Sequence, residues 1–145
     1  MVCVKDNQVG RFSVEVELAN DRDLARAAAG DISPQQVRRL TVRAVIDSGA
    51  SRLVIPTAIA QQLGLPISGE TNVRYADGRI AKRPAVAGIH LTWGGRSGSY
   101  TAVVEPDRDS ALLGAIVLED LDLIADCSTQ TLRPRDPERI VSEIE

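Results

Sequence analysis

One short acidic turn, Asp47-Ser48-Gly49-Ala50, interrupts a run of alternating apolar residues and limits what this chain can become. Upstream, Leu40, Val42, Ala44 and Ile46 recur at the two-residue period that lines one face of a strand. Downstream, Leu53-Val54-Ile55 resumes the apolar run. An aspartate between two such runs sits close to a core, where its carboxylate needs hydrogen-bond partners. Ser48 and the backbone around Gly49 are placed to supply them, and glycine permits the tight turn and close backbone approach. The turn occurs once in the 145 residues.

The same two-residue period recurs along the chain. Phe12 to Leu18 alternates as a half-exposed strand. Val73 to Ala81 reads as a hairpin with Asp77-Gly78 at its tip, a pair suited to positive backbone angles. Ile89 to Trp93 and Tyr100 to Val104 flank a glycine-rich turn over Gly94 to Gly98. Leu123 to Ala125 and Gln130 to Leu132 flank an Asp126-Cys127-Ser128-Thr129 turn. Helical signals are fewer. Pro56 to Pro66 opens on proline, spaces Ile59 and Leu63 four apart and closes on Gly64, and Ala115 to Leu121 follows the buried run Ala111 to Gly114. Ala19 to Arg38 is polar and alanine-rich, and we expect a long surface loop carrying one helical turn. The class is mostly β.

Only 3% of residues are aromatic, so a core must be built from Val, Leu, Ile and Ala. At this length one domain is expected over 1–145, with its core from 12 to 134 and a charged tail from 135 to 145. Ile140, Val141 and Ile144 give that tail a thin apolar stripe, able to dock as one helical turn or to fray. The formal charge of −3 and the lack of a basic cluster argue against nucleic acid. No run approaches the roughly 20 apolar residues of a membrane span. Cys3 and Cys127 are too few for a disulfide framework, so inert thiols and a reduced, cytoplasmic protein are expected.

Several segments stand together in an order that resembles the retropepsin-like aspartic proteases, in particular their small bacterial single-domain branch. They are Val45-Ile46-Asp47-Ser48-Gly49-Ala50-Ser51, Leu63-Gly64-Leu65, Ala76-Asp77-Gly78, Leu112-Leu113-Gly114, Leu118-Glu119-Asp120-Leu121, Leu123-Ile124-Ala125-Asp126 and Leu132-Arg133-Pro134. The combination is far more specific than any piece. The resemblance implies an all-β, closed-barrel-like retropepsin (acid protease) fold with one or two short helices and one half-site per chain. It implies an aspartic endopeptidase in which two aspartates flank one water. With one acidic turn per chain, the second aspartate must come from another copy, so a homodimer is expected with both Asp47 side chains on its twofold axis.

Roles follow from the same resemblance. Asp47 is the acid/base, and Ser48 would brace the turn across the dimer axis. Gly49 would let the backbone pass close to a peptide or protein substrate, and Ala50 would line the cleft floor. Leu112, Leu113 and Gly114 would pack beneath the turn. Ala76, Asp77 and Gly78 would form a flap that closes over the peptide, with Ser51 and Arg52 at the cleft border. Arg52 there would favour acidic peptides. The chain departs from viral relatives at Ala115, where they carry arginine, and in a flap with a single glycine. The runner-up is an inactive dimeric peptide-binding or scaffold module of the same fold.

Other residues read blandly. His90 fits a surface strand position, opposite the face of Ile89, Leu91 and Trp93. One histidine and two distant cysteines make a zinc site improbable, and no cofactor is implied. Gly94 to Gly98 lacks the Lys-Ser/Thr ending of a phosphate loop. Asp107 and Asp109 sit in a polar loop, and Asp126 suits an Asx-type bond. Ser48 or Ser51 as nucleophile would need a base that no motif supports.

Overall fold

The computed structural model describes residues 11–145 throughout and, before them, the backbone of two short paired strands, β1 (Val4–Lys5) and β2 (Gln8–Val9). The alternation around Phe12 becomes β3 (Arg11–Asn20), antiparallel to β4 (Arg39–Asp47). Their register sets Phe12 opposite Ile46 and Val14 opposite Ala44. Burial alternates along β4 and deepens toward its end, where Ala44 and Ile46 are buried while Thr41 and Arg43 stay exposed. That is the pattern of a strand with one face on a core.

Between β3 and β4 lies α1 (Asp21–Ala28), and after β4 come β5 (Leu53–Pro56) and α2 (Thr57–Leu63). Then follow β6 (Ile67–Arg74), β7 (Ile80–Trp93), β8 (Arg96–Glu105), β9 (Ala111–Leu113) and α3 (Ala115–Asp120). A last antiparallel pair, β10 (Leu123–Asp126) and β11 (Thr131–Pro134), ends the regular structure. Strands β3, β4, β9, β5, β8 and β7 hydrogen-bond in that order, and β7 pairs back onto β3. The ring is thus a closed six-strand barrel, which leaves its members no open edge.

Strand β6 lies outside the ring. It pairs with the first half of β7, Ile80 to Val86, whereas β3 takes the second half, Ile89 to Thr92. The register of β7 against β8 shifts between those halves, where Gly88 adopts φ +79°. The β6–β7 hairpin therefore projects from the barrel as a separate two-stranded arm. The core is aliphatic as composition requires: Leu18, Ile46, Leu53, Ile55, Leu63, Ile89, Leu91 and Leu113 are all sealed from solvent.

Four expectations need correction. Within residues 19–38 the helix, α1, runs for two turns rather than one, and the segment, though mostly exposed, is tied into the body. Asn20 caps α1 by accepting the Asp23 N–H at 3.0 Å, and its amide donates to the Leu63 carbonyl at 2.7 Å. The turn between β7 and β8 is only Gly94-Gly95, at φ +58° and +81°, because Arg96, Ser97 and Gly98 continue the strand. The tail has no helical turn. It is held by polar bonds: Asp122 accepts the Val141 N–H at 3.0 Å and Arg135 Nε at 2.6 Å, and buried Arg96 donates to the carbonyls of Asp136 and Arg139. Finally, Cys127 is disulfide-bonded, not an inert thiol, since tertiary placement decides whether one sulfur meets another. The reading of a reducing compartment loses that support. Cys3 lies outside the described residues.

Candidate active site

Strand β4 delivers Asp47 at its last position, next to the barrel floor. The chain then turns back at once, with the Ala50 N–H bonded to the Asp47 carbonyl at 3.1 Å. Within this turn the Gly49 N–H donates to Asp47 Oδ1 at 3.0 Å. A Cβ on Gly49 would stand 3.3 Å from that same oxygen, closer than ordinary contact, so glycine keeps the carboxylate in place. The other oxygen, Oδ2, faces Arg11 Nε at 3.3 Å, because Arg11 is the register partner of Asp47 across β3 and β4. The Asp47 side chain is only 14% exposed, and each of its oxygens has a cationic or backbone donor.

Beneath the turn, β9 runs parallel to β4, with Leu112 opposite Val45 and Leu113 opposite Ile46. Gly114 then lets the chain pass against the segment that follows the turn. A Cβ there would lie 2.7 Å from the Ala50 carbonyl and from both Arg52 backbone groups. The close passage allows the Ala115 N–H to reach the Ala50 carbonyl at 2.8 Å and the Ile116 N–H to reach Ser51 at 3.0 Å. The apolar pair and its glycine thus fix residues 50 to 52 through backbone bonds.

A groove of about 550 Å³ opens above Asp47. Asp47, Gly49, Ala50, Val54 and Leu112 line its base, and the β6–β7 arm contributes Val73 to Ala76 and Arg79. At the tip of that arm the Tyr75 N–H bonds the Arg79 carbonyl and the Gly78 N–H bonds the Tyr75 carbonyl, both at 2.9 Å. Asp77 accepts the Arg79 N–H and Gly78 takes φ +87°, so these two shape the tip. Of the residues singled out in the sequence, Asp47, Gly49, Ala50, Leu112 and Ala76 meet in the groove. Ser48, Ser51, Arg52, Leu113, Gly114, Asp77 and Gly78 are not part of its lining.

No motif announces the groove's polar wall. Tyr75 donates its hydroxyl to Glu105 Oε2 at 2.6 Å, and Arg83 Nε reaches the other oxygen of Glu105 at 2.6 Å. The carboxylate raises the tyrosine above its ordinary range and strengthens the charge on Arg83. Arg79 stacks over the Tyr75 ring at 4.5 Å. The arm is thereby latched to β8. A tyrosine beside Ala76-Asp77-Gly78, in a chain with so few aromatics, was the one available signal. Glu105 and Arg83 lie too far along the chain to show any pattern.

Asp126 accepts from Ser128 N–H and hydroxyl at 3.0 and 2.7 Å, the Asx arrangement expected of it. His90 faces Asp21 at 3.7 Å on the barrel exterior, and Asp107 and Asp109 are exposed. Among the described residues no group of His, Cys, Asp and Glu is placed to hold a metal ion, and no helix is long and apolar enough to cross a membrane.

Residues 24–117 match the family described as aspartyl protease. Two mycobacterial relatives, the antitoxin VapB40 of Mycobacterium tuberculosis and the uncharacterized protein Mb2626 of Mycobacterium bovis, are each 40% identical over 82 residues. That stretch is 56% of this chain and 95% of each relative. The EIAV protease complexed with the inhibitor HBY-793 superposes with a TM-score of 0.55 at 19% identity, covering 81% of this chain and 94% of the protease. The retroviral protease-like domain of Ddi1 from Leishmania major gives 0.52 at 14% identity, covering 86% and 90%. At these identities the two likenesses establish the retropepsin fold.

Proposed function

Because the chain belongs to the aspartyl protease family, we propose that it is an aspartic endopeptidase whose site is completed by a second copy of itself. The observation that carries this reading is the position of Asp47, at the base of a groove roofed by a hairpin arm. Asp47 is the acid/base of each half-site, and Gly49 and Ala50 leave room for a peptide backbone beside it. Leu112, Leu113 and Gly114 hold the turn from below, and Ala76, Asp77 and Gly78 form the closing flap. Ser48 braces the turn across the dimer axis.

The chemistry needs both copies. Two carboxylates brought to one water cannot both ionise easily, so one proton is shared between them. The ionised member takes a proton from the water as it attacks the peptide carbonyl, while the protonated member donates to the carbonyl oxygen. Collapse of the tetrahedral species then passes a proton to the leaving amine. Their titration belongs to the pair.

A second reading, a peptide-binding module without turnover, draws on the Arg11–Asp47 ion pair, which occupies a carboxylate oxygen that the dyad would use. Digestion of a peptide library, read by mass spectrometry, separates the two. The wild-type chain should cut, and Asp47→Asn should lose roughly a thousandfold or more of that rate while still binding peptide. Equal cutting by Asp47→Asn would end the protease reading, and binding without any cutting by the wild type would favour the module.

A further inference from the structure

The groove carries the opposite sign from the molecule around it. The whole chain has a formal charge of −3, yet among the described residues the groove is lined by five arginines and three carboxylates. Two of those carboxylates are already engaged. Glu105 is held by Arg83 and Tyr75, and Asp47 faces Arg11. Arg74, Arg79 and Arg108 remain, with only the exposed Asp107 of opposite charge left in the lining. Arg79 lies over the Tyr75 ring at 4.5 Å, a contact that uses none of its hydrogen-bond donors. Arg108 spends two donors on Ser110, through Nε at 3.0 Å and Nη2 at 3.3 Å. A guanidinium presents five donors in a fixed fork, so donors remain for an incoming carboxylate.

From this we infer that the groove selects peptides bearing aspartate or glutamate side chains near the bond to be cut, read by Arg74 and Arg79 on the arm and Arg108 opposite. The inference rests on the groove being a peptide site. It moves the source of any acidic preference away from Arg52, whose backbone packs on Gly114 and which does not line the groove. A cleft of one sign with low-dielectric walls concentrates ligands of the other sign, and planar guanidinium groups add bidentate recognition.

The test uses pairs of peptides that differ only by glutamate or glutamine around one cleavage position. Cutting is measured with the wild-type chain, and binding by fluorescence anisotropy with Asp47→Asn. Glutamate peptides should be favoured roughly tenfold in kcat/KM, mostly through KM, and the ratio should shrink as salt rises. In the doubly substituted Arg74→Gln, Arg79→Gln chain the ratio should fall toward unity. Making the same pair of changes in the Asp47→Asn background separates the arm from Arg11, which that variant releases. Cutting with a ratio of one or below in the wild type would overturn the inference and leave the protease reading standing. A glutamate preference in binding with no cutting would support the inference and end the protease reading. The wild-type ratio and its salt dependence decide the matter even if the substituted chain fails to fold.

Discussion

Asp23 shows what keeps a charged side chain inside this molecule. It is 3% exposed and accepts from Arg38 three times, through the backbone N–H at 3.0 Å, Nε at 2.8 Å and Nη2 at 3.0 Å. The side-chain bond to Arg38 is the main reason that its pKa falls from 3.8 to about 2, against the opposing effect of burial. A carboxyl depressed in the folded state stabilises the fold above its unfolded pKa and loses that contribution as pH falls through the folded value. Asp23→Asn should therefore cost about 1–3 kcal/mol at neutral pH, and the cost should shrink from about pH 4 down to pH 2. Urea unfolding of both chains across that range measures it, and a cost that does not change with pH would contradict the account. Gly114 is fixed by sterics instead of charge. Its φ of −96° is open to any residue, and only the backbone packed against its Cα demands glycine.

Among the elements, the β6–β7 arm has the most to do and the least packing to hold it. Most of β6 is exposed, and Ile67 and Ile80 show large apolar faces to solvent. The latch of Tyr75 and Arg83 on Glu105 is what joins its tip to β8. Tyr75→Phe removes one bond to a charged acceptor and keeps the ring under Arg79. We expect amide exchange at Tyr75 and Gly78 to quicken roughly tenfold, equivalent to about 1.4 kcal/mol. Unchanged exchange would show that the latch does not hold the tip. The strands themselves were legible from the alternation of Phe12 to Leu18 and Leu40 to Ile46, because one buried face imposes a period of two. The helix after Asn20 was legible only in part, since the polar composition hides two buried side chains, Asn20 bonded to the Leu63 carbonyl and Asp23 bonded to Arg38.

For the whole molecule, a barrel with one acidic turn holds half of the proposed chemistry. Subunit mixing tests this directly. If each working site needs Asp47 from both copies, a tenfold excess of Asp47→Asn chains should exchange into dimers and cut wild-type activity roughly tenfold. Activity that stays constant on mixing would mean that one chain suffices. Sedimentation over the same concentrations should show dimer wherever peptide is cut. The family and the barrel were readable because turn, flap and apolar pair keep their order along the chain. The groove wall was not, since Arg83 and Glu105 meet through strand pairing.

Local chemistry in the chain was enough to settle the strands, the aliphatic core, the single carboxylate at a strand end and the glycines that let backbones approach it. Each of these depends on neighbours a few residues apart, where period and turn geometry act. Folding in three dimensions alone decided that β7 closes onto β3 and sends its other half out as an arm. It also decided that Cys127 is bonded, that Arg96 gathers the tail, and that five arginines face a groove in an acidic protein. Charges and sulfurs meet at distances that no sequence period encodes, because their encounters are set by the register and closure of the sheet.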